Sequence, residues 1–344
     1  MKILLISVRS KESNGGIAVW TEHYIKGCRD FGVECDIVNT DTITKKDHKS
    51  KYKRNIKDEL IRTKRIYSQL TEKLKDCQYD VAHFNTNIGL FGIIRDYYLA
   101  KKISKFNIPI ALHFHCDIQY WCSNFLIKFY LKKILALSNT NFVLCKNSSN
   151  FLRNNYKTES ILVPNFVDSS SIKKSKIINE QIRTIFFCGR VSEAKGAAEI
   201  FALAPKFPDV TFRLAGDIGL DVELWDKHDN IVLLQAIKHE KVLEELDNAD
   251  IFLFPTHTEG FSLALAEAMS RGVPVIATDV GANADMIENK GGVIVPVGDV
   301  TAMEKAIVEM NDVGLRKNMS EWNIDKVEMN YTTRSVMKKF INEY

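Results

Sequence analysis

Two glutamates eight residues apart, Glu259 and Glu267, are the side chains of this sequence whose placement points most directly to chemistry. They follow the apolar strand pattern Ile251–Phe254, and Ser262 between them is typical of a helix N-cap. Glu259 therefore falls in a loop, and Glu267 in the first turns of the helix. In a parallel sheet such a loop lies at the carboxyl end of a strand, where ligands bind, and the free amides beside Gly260 attract an anion. The segment predicts a site for a phosphate that carries hydroxyl-rich groups.

Both carboxylates have plainer explanations. A Glu in a first helical turn commonly serves the helix dipole, and paired carboxylates act as acid and nucleophile in many glycosidases. A glycosidase pair that retains configuration stands roughly 5 Å apart around one glycosidic bond. Glu259 is expected in a loop and Glu267 farther along a helix, which disfavours that arrangement. The spacing of the two residues, taken with its context, favours ligand binding over a role in stabilising the helix dipole.

A second feature combines two cations with glycines after the strand pattern Thr184–Cys188. Gly189 and Arg190 follow the strand directly, and Lys195 lies five residues beyond Arg190, before Gly196. Arginine offers a planar fork of donors and lysine a point charge, which together suit a diphosphate. Because Arg and Lys are common on surfaces, the pattern alone is a weak signal.

The first half of the chain offers further candidates near strand ends. His113 and His115 fall on one face of the strand pattern Ile110–His115, and two histidines there favour a functional role more than one would. Gly15 and Gly16 lie in a loop after the first strand, where glycines let a backbone approach a ligand or simply serve a turn. The loop lacks a Gly-x-Gly-x-x-Gly placed directly after a strand, which disfavours a nicotinamide-dependent dehydrogenase.

Apolar runs of strand length alternate with amphipathic helical stretches throughout the 344 residues, a length that suits two domains. The fold class predicted is α/β, with two Rossmann-like, doubly wound parallel-sheet domains, and a break at residues 161–168 places the boundary at about residue 168. Helices are expected over Trp121–Leu135 and Trp322–Tyr344. The predicted strands are Lys2–Ser7, Glu34–Val38, Val81–Phe84, Ile110–His115, Phe142–Cys145, Thr184–Cys188, Thr211–Ala215, Ile231–Leu234, Ile251–Phe254, Val273–Ala277 and Gly292–Val295.

The composition is that of a globular protein, with 45% hydrophobic and 26% charged residues. No apolar run approaches the roughly 20 residues of a membrane span, and the first strand pattern is too short for a signal peptide, so a cytoplasmic location is expected. The seven cysteines contain no Cys-x-x-Cys pair, which predicts reduced thiols. Neither an Asp-x-Asp motif nor a cluster of metal ligands occurs, so no metal and no cofactor are expected.

The charge is divided unevenly along the chain. Residues 1–164 hold 27 Lys and Arg against 15 Asp and Glu, and residues 165–344 hold 20 against 28, which sums to the net charge of +4. The densest basic stretch, Lys45–Lys75, is typical of a solvated face; an anionic membrane is the favoured partner for it, and nucleic acid is not expected. For the helix over Trp121–Leu135, ordinary amphipathic packing is favoured over binding at a membrane surface.

Three motifs of this sequence resemble those of glycosyltransferase family 4, the retaining glycosyltransferases of the GT-B fold. The first is Glu259, seven residues and Glu267, followed by Gly-x-Pro-Val-Ile-Ala; the second is Gly-Arg-x4-Lys-Gly at residues 189–196; the third is Val-Pro-Asn-Phe-Val-Asp at 163–168, with Phe166 in place of the usual Gly. The resemblance implies two domains, 1–168 and 169–324, that face a central cleft, with a terminal helix from about 325 to 344 crossing back onto the first domain.

The resemblance also implies a role for each candidate residue. Arg190 and Lys195 would grip the donor diphosphate as catalytic residues, with Glu259 on the hydroxyls of the transferred sugar and Glu267 on the ribose. His115, with His113 in reserve, would contact the donor sugar. The donor would also be bound by the loops that contain Gly15, Gly16, Gly189, Gly216, Gly260, Phe261 and Ser262. In the segment 230–238, Gln235-Ala236 replaces the glycine that commonly lies against the base, so UDP-sugar and GDP-sugar both stay open as donors.

The function implied is that of a retaining, metal-independent hexosyltransferase of class EC 2.4. It would move a hexose from a nucleoside diphosphate sugar to an acceptor hydroxyl, on a lipid-linked saccharide of bacterial O-antigen or capsule synthesis. Peripheral contact with the inner face of the cell membrane through the basic first domain is expected. The alternatives are a non-catalytic GT-B scaffold subunit and a sugar-nucleotide epimerase of related fold.

Overall fold

The computed structural model describes residues 1–9, 16–41, 56–76, 78–219 and 228–344. These residues form two compact units, the first made of Met1–Pro164 with Val336–Tyr344 and the second of Asn165–Ser335. Within them each unit holds one six-stranded parallel sheet flanked by helices, and the predicted fold class is confirmed. The sequence places the boundary at about residue 168 and the return to the first domain at about residue 325, whereas the chain passes between the two units after residues 164 and 335.

The first unit alternates strands and helices. Its strands are β1 Lys2–Ser7, β2 Glu34–Asn39, β3 Val81–Thr86, β4 Ile110–Phe114, β5 Thr140–Val143 and β6 Ile161–Leu162. Its helices before residue 165 are α1 Gly16–Asp30, α2 Ile56–Asp76, α3 Leu90–Ile103, α4 Ile118–Trp121, α5 Phe125–Leu135 and α6 Lys146–Tyr156. The sheet has the order β2-β1-β3-β4-β5-β6, and all neighbouring strands are parallel.

The central strands of this sheet are buried on both faces, as their nearly continuous apolar sequences require. Leu4 and Ile6 of β1, Phe84 of β3 and Leu112 of β4 belong to one apolar core. The core continues through the inner faces of α3 and α5, which gives both helices a buried side.

The second unit repeats the pattern. Its strands are β7 Thr184–Cys188, β8 Thr211–Ala215, β9 Ile231–Gln235, β10 Ile251–Phe254, β11 Val275–Thr278 and β12 Gly292–Val295. Its helices are α7 Ala197–Leu203, α8 His239–Asn248, α9 Leu263–Ser270, α10 Asn283–Ile287, α11 Val300–Glu309 and α12 Val313–Asn330, and α13 Thr333–Glu343 leads back into the first unit. The parallel sheet has the order β12-β11-β10-β7-β8-β9.

The helix expected over Trp121–Leu135 is wrong in its first turn. Helix α4 ends at Trp121, and α5 begins at Phe125 because the Asn124 carboxamide accepts a hydrogen bond of 2.8 Å from the Leu126 amide. Such a side-chain cap fixes the start of a helix independently of the apolar period that continues across it.

The single helix expected over Trp322–Tyr344 is also wrong, because α12 ends at Asn330 and α13 starts anew. The Thr332 hydroxyl accepts a hydrogen bond of 3.1 Å from the Ser335 amide, which caps α13. Phe340 of α13 is fully buried in the first unit, with its ring centroid 6.0 Å from that of Trp20 and 5.4 Å from that of His83.

Residues 45–55 of the basic stretch Lys45–Lys75 lie outside the described residues, and the part of the stretch on α2 contributes partly to internal bonds. Arg62 donates to the Thr40 carbonyl at 2.8 Å and pairs with Glu59 at 3.1 Å. Lys73 lies 3.2 Å from the Asp36 carboxylate. In the described part of the chain, no helix combines the length and the apolar character that a membrane span needs.

Candidate functional site

The strand order of the second unit fixes where a site can form. Strand β7 lies between β10 and β8, so the connections from β7 and β10 leave towards opposite sides of the sheet. A crevice opens at such a switch point, outside the carboxyl ends of the strands. The loop after β7 carries Arg190 and Lys195, and the loop after β10 carries Glu259. Two features that lie far apart in the sequence therefore border the same switch point.

The two loops meet in an ion pair. The Lys195 ammonium lies 2.5 Å from a Glu259 carboxylate oxygen and also donates to the Thr258 carbonyl at 3.3 Å. Both side chains are partly exposed, at 29% for Lys195 and 18% for Glu259, so a ligand in the crevice can reach them. A pair this accessible contributes little to folding stability, which leaves its charges available for binding.

Gly196 allows the loop after β7 to lie close against the loop after β10, next to this ion pair. It has φ +74° after the short turn Glu193–Lys195, and a Cβ at this position would lie 2.0 Å from the Pro255 carbonyl oxygen. Any other residue would therefore push the two loops apart as well as strain the backbone. The glycine of the Lys-Gly pattern positions Lys195 against the loop after β10.

The loop of Glu259 is held from within its own unit. The Gly260 carbonyl accepts a hydrogen bond of 2.9 Å from the Ala282 amide. Gly281 has φ +57°, and a Cβ there would lie 2.5 Å from the Glu259 carbonyl oxygen. The loop therefore rests directly on the backbone of residues 281 and 282.

The start of α9 is fixed as the sequence predicts. The Ser262 hydroxyl accepts a hydrogen bond of 3.1 Å from the Leu265 amide, and Phe261 is buried with its ring 5.3 Å from that of Tyr331. The Asn165 carboxamide donates to the Phe261 carbonyl at 3.4 Å. These contacts orient the amino terminus of α9 at the same crevice as Glu259.

The remaining glycines of the loops after β7 and β8 serve close packing. Gly189 donates to the Ala215 carbonyl at 2.9 Å, and a Cβ on Gly216 would lie 1.8 Å from the Gly189 carbonyl oxygen. Arg190, beside Gly189, is exposed. The loops after neighbouring strands thus touch through backbone alone and leave the guanidinium at the surface.

Glu267 has a partner that the sequence did not predict. One of its carboxylate oxygens lies 3.0 Å from Nε2 of His239, the first residue of α8. The hydrogen bond to Glu267 raises the pKa of His239 above its ordinary value. Burial, and then the charge of Glu267, raise the pKa of Cys188 at the end of β7 to about 12. The only sequence signal for His239 was its place after the end of β9.

A second histidine pair braces the loop after β10. Nε2 of His257 lies 2.6 Å from a Glu199 carboxylate oxygen, and the His257 amide donates to the Ala194 carbonyl at 3.1 Å. Glu199 is buried on α7, close behind the Lys195 turn. His257 thereby joins the loop of Glu259 to the loop of Lys195, and sequence reasoning missed it.

In the first unit, His115 lies just beyond the end of β4. Its Nε2 is 3.0 Å from the Asn85 carboxamide oxygen, and the Asn85 amide nitrogen donates to the Ser7 hydroxyl at 2.7 Å. Burial lowers the pKa of His115, so the ring is neutral at pH 7. Of the two predicted glycines, Gly16 begins α1, whereas Gly15 lies outside the described residues.

His113 lies wholly within the core of the first unit. It is fully buried, its centroid is 5.2 Å from that of Trp20, and neither ring nitrogen has a hydrogen-bond partner within the described residues. Burial is the main cause that lowers its pKa, and burial also lowers the pKa of the neighbouring His83 to about 3. Of the two histidines predicted for the donor, His115 is the one that is only partly buried.

Comparison with known proteins agrees with this architecture. Residues 168–324 match the family model described as glycosyl transferases group 1. A capsular polysaccharide biosynthesis glycosyltransferase of Staphylococcus aureus is 28% identical over 50% of this chain and 48% of its own length, so the chain spans about half the length of that curated relative.

Solved structures resemble the whole chain. A sucrose-phosphate synthase from Thermosynechococcus elongatus has a TM-score of 0.80 at 17% identity and covers 99% of this chain and 97% of its own. A protein of Anabaena in complex with UDP and glucose has a TM-score of 0.74 at 15% identity, with coverage of 99% and 98%.

The two parallel sheets and their loops define a protein of the GT-B fold. The residues that match the glycosyl transferases group 1 model lie within the second unit, which also holds the Lys195–Glu259 pair. In the described part of the chain, no group of three or more His, Cys, Asp or Glu side chains is placed to hold a metal ion.

The Glu267–His239 contact predicts a measurable titration. A raised folded-state pKa means that the stabilisation by protonated His239 is complete below its ordinary pKa of 6.5 and is lost as pH rises through the folded value. Glu267→Gln should therefore lower the pKa of His239, followed by NMR of its ring protons against pH. The control is Glu244→Gln. This variant removes a carboxylate that lies on α8, the helix of His239, and that pairs with Lys241 instead. An unchanged His239 pKa in Glu267→Gln would show that the contact is not formed in solution.

Proposed function

We propose that this protein is a retaining glycosyltransferase that moves a hexose from a nucleoside diphosphate sugar to an acceptor hydroxyl. The observation that carries the proposal is the Lys195–Glu259 pair at the switch point of the second unit, with Glu267 on the helix that follows. A cation for phosphate and two carboxylates for hydroxyls are the groups that such a donor requires.

The ion pair suggests how the donor would bind. An incoming diphosphate would replace Glu259 as the partner of the Lys195 ammonium, because its oxygens carry more charge and accept several hydrogen bonds. The Glu259 carboxylate would then accept hydrogen bonds from hydroxyls of the transferred sugar. Arg190, exposed on the same loop, would add a second positive charge. Glu267 would accept hydrogen bonds from the ribose, in the place that His239 occupies in the free protein.

The same residues would lower the barrier to transfer. Negative charge builds on the diphosphate as the glycosidic bond breaks, and Lys195 and Arg190 would stabilise that charge without a metal ion. The leaving phosphate would take the proton of the acceptor hydroxyl as it attacks from the same face of the sugar, which retains the anomeric configuration. His115 would contact the donor sugar as a neutral hydrogen-bonding group, held by Asn85.

The donor proposed is a UDP-sugar or a GDP-sugar, and the related Anabaena structure with UDP and glucose supports the first. The acceptor proposed is a lipid-linked saccharide in bacterial surface polysaccharide synthesis, in line with the name of the Staphylococcus aureus relative. Attachment to the membrane would be peripheral. The excess of positive charge in residues 1–164 supports this location.

The reaction is tested by incubating the protein with UDP-hexoses and GDP-hexoses, with and without lipid-linked saccharides extracted from bacterial membranes. We expect transfer only with acceptor, a product with the anomeric configuration of the donor by NMR, and the same rate in EDTA. A sugar that changes in the absence of acceptor would identify an epimerase instead. Absence of both donor binding and turnover would identify a scaffold subunit.

Lys195→Ala should weaken binding of the free nucleoside diphosphate by about 10- to 100-fold, the range expected for a lost hydrogen bond to a charged group. Calorimetric titration or the ligand-induced shift of Tm measures the change. The matched control is Lys206→Ala, because Lys206 pairs with Glu304 at the same 2.5 Å in the same unit, away from the crevice. Equal affinity of the two variants would exclude Lys195 from the diphosphate site.

A further inference from the structure

One surface of the first unit exposes large aromatic side chains that the proposed reaction does not use. Phe125 and Phe129 of α5 are 77% and 43% exposed, and Tyr120 and Trp121 of α4 are 59% and 51% exposed. Tyr98 of α3 is 51% exposed. We call these five residues the aromatic patch. Exposed aromatic side chains grouped on neighbouring helices usually mark an interaction surface.

Packing of the core does not account for these residues. Helix α5 already buries Ile127, Leu131 and Ile134 on its inner face, so Phe125 and Phe129, one turn apart, form a second apolar face that points to solvent. A helix that is apolar on both sides needs a second apolar environment.

The patch is continuous from α5 to α3 through ring contacts. Phe129 meets Tyr130 with centroids 5.3 Å apart, and Tyr130 meets Tyr98 at 6.5 Å. Tyr120 and Trp121 form a further pair at 5.5 Å. The tyrosine and tryptophan rings are apolar with one polar end, which is the composition found at membrane–water boundaries.

The chain that follows α4 is strongly basic. No Asp or Glu occurs between Asp117 and Glu159, whereas six Lys and Arg do. Three of these lysines lie on α5, and the Lys133 ammonium stands 4.6 Å from the Phe129 ring centroid. Lys128 and Lys132 are exposed on the same helix. Protein–protein interfaces are depleted in lysine, whereas a lysine rim attracts anionic lipid headgroups.

We infer that the aromatic patch and the α5 lysines dock the first unit onto an anionic lipid bilayer, with the rings in the headgroup region and the lysines on the phosphates. The inference deepens the membrane part of the proposed function and places that contact on α3, α4 and α5 instead of the stretch Lys45–Lys75. Aromatic insertion and charge attraction would act together, as in other interfacial helices.

The test is sedimentation with vesicles of phosphatidylcholine, with or without phosphatidylglycerol, at low and high salt. We expect binding to the anionic vesicles at low salt, weakened by about tenfold in Phe125→Ser/Phe129→Ser and by a similar factor in Lys128→Ser/Lys132→Ser. Ile177→Ser, which changes an apolar residue that is 88% exposed in the second unit, should bind like the unmodified protein. Circular dichroism confirms that each variant is folded.

The fluorescence of Trp121 measures vesicle binding independently of sedimentation. Its fluorescence should shift to shorter wavelength when the protein binds the vesicles, and Trp121→Phe should remove most of the shift while binding is kept. Vesicle binding that is unchanged in both double variants would overturn the inference. So would a concentration-dependent dimer that the Phe125→Ser/Phe129→Ser variant no longer forms and vesicles do not disrupt, since a second copy would then cover the patch.

The vesicle test is separable from the proposed reaction. Nucleoside diphosphate binding does not involve the aromatic patch, so it should be equal in the unmodified protein and both double variants. Vesicle binding without donor binding would support the docking surface and refute the proposed transferase. Donor binding without vesicle binding would support the transferase and refute the docking surface.

Discussion

The adjacency of β7 and β10 is the constraint on which the candidate site depends. Parallel pairing aligns Ile251 with Ile185 and Phe252 with Phe186, so both strands end at the same edge of the sheet. The residues that follow are then brought together whatever their separation in sequence, and Lys195 reaches Glu259 across 64 positions. Gly196 against Pro255 and Gly281 against Glu259 let the loops approach that closely. The His257–Glu199 contact joins the same loops from behind.

In the first unit, by contrast, histidine side chains are buried among aromatic rings. His83 and His113 are buried among Trp20, Phe142 and Phe340, where burial keeps them neutral and aromatic contacts replace most hydrogen bonds. His83 Nδ1 has one polar partner, the Tyr344 hydroxyl at 2.6 Å. The side chain of Tyr344 is thereby fixed to the centre of the sheet. His115, two residues beyond His113, lies at the edge of this cluster, with its ring centroid 4.0 Å from that of His113 and 4.9 Å from that of Trp20, and it is also bound by Asn85.

Sequence patterns predicted the strands well because each is a short apolar run bounded by turn residues. Lys2–Ser7, Thr184–Cys188, Thr211–Ala215, Ile251–Phe254 and Gly292–Val295 have the predicted bounds. The helix breaks at Asn124 and Thr332 were missed because each depends on one side-chain cap within a continuing apolar period. The two-residue strand β6 was missed because its pairing with β5, not its sequence, defines it.

The candidate site was predicted residue by residue but not as a set of contacts. Spacing indicated a loop for Glu259, a helix for Glu267 and a cap for Ser262, since these follow from local chain geometry. It could not show that Glu259 pairs with Lys195 or Glu267 with His239, because tertiary packing alone decides those distances. The backbone of Gln235 was not predicted either. This residue stands where the resemblance implies a glycine, and it has a left-handed conformation with φ +58°.

In the proposed reaction, Glu259 binds the sugar of the donor and Glu267 binds its ribose. The most direct measurement compares the affinities of a nucleoside diphosphate and of the matching nucleoside diphosphate sugar for Glu259→Gln and Glu267→Gln by calorimetric titration. Glu259→Gln should weaken the binding of the sugar-bearing ligand only, whereas Glu267→Gln should weaken the binding of both ligands equally. An equal loss of affinity for both ligands in Glu259→Gln, or no loss of affinity in Glu267→Gln, would contradict these roles.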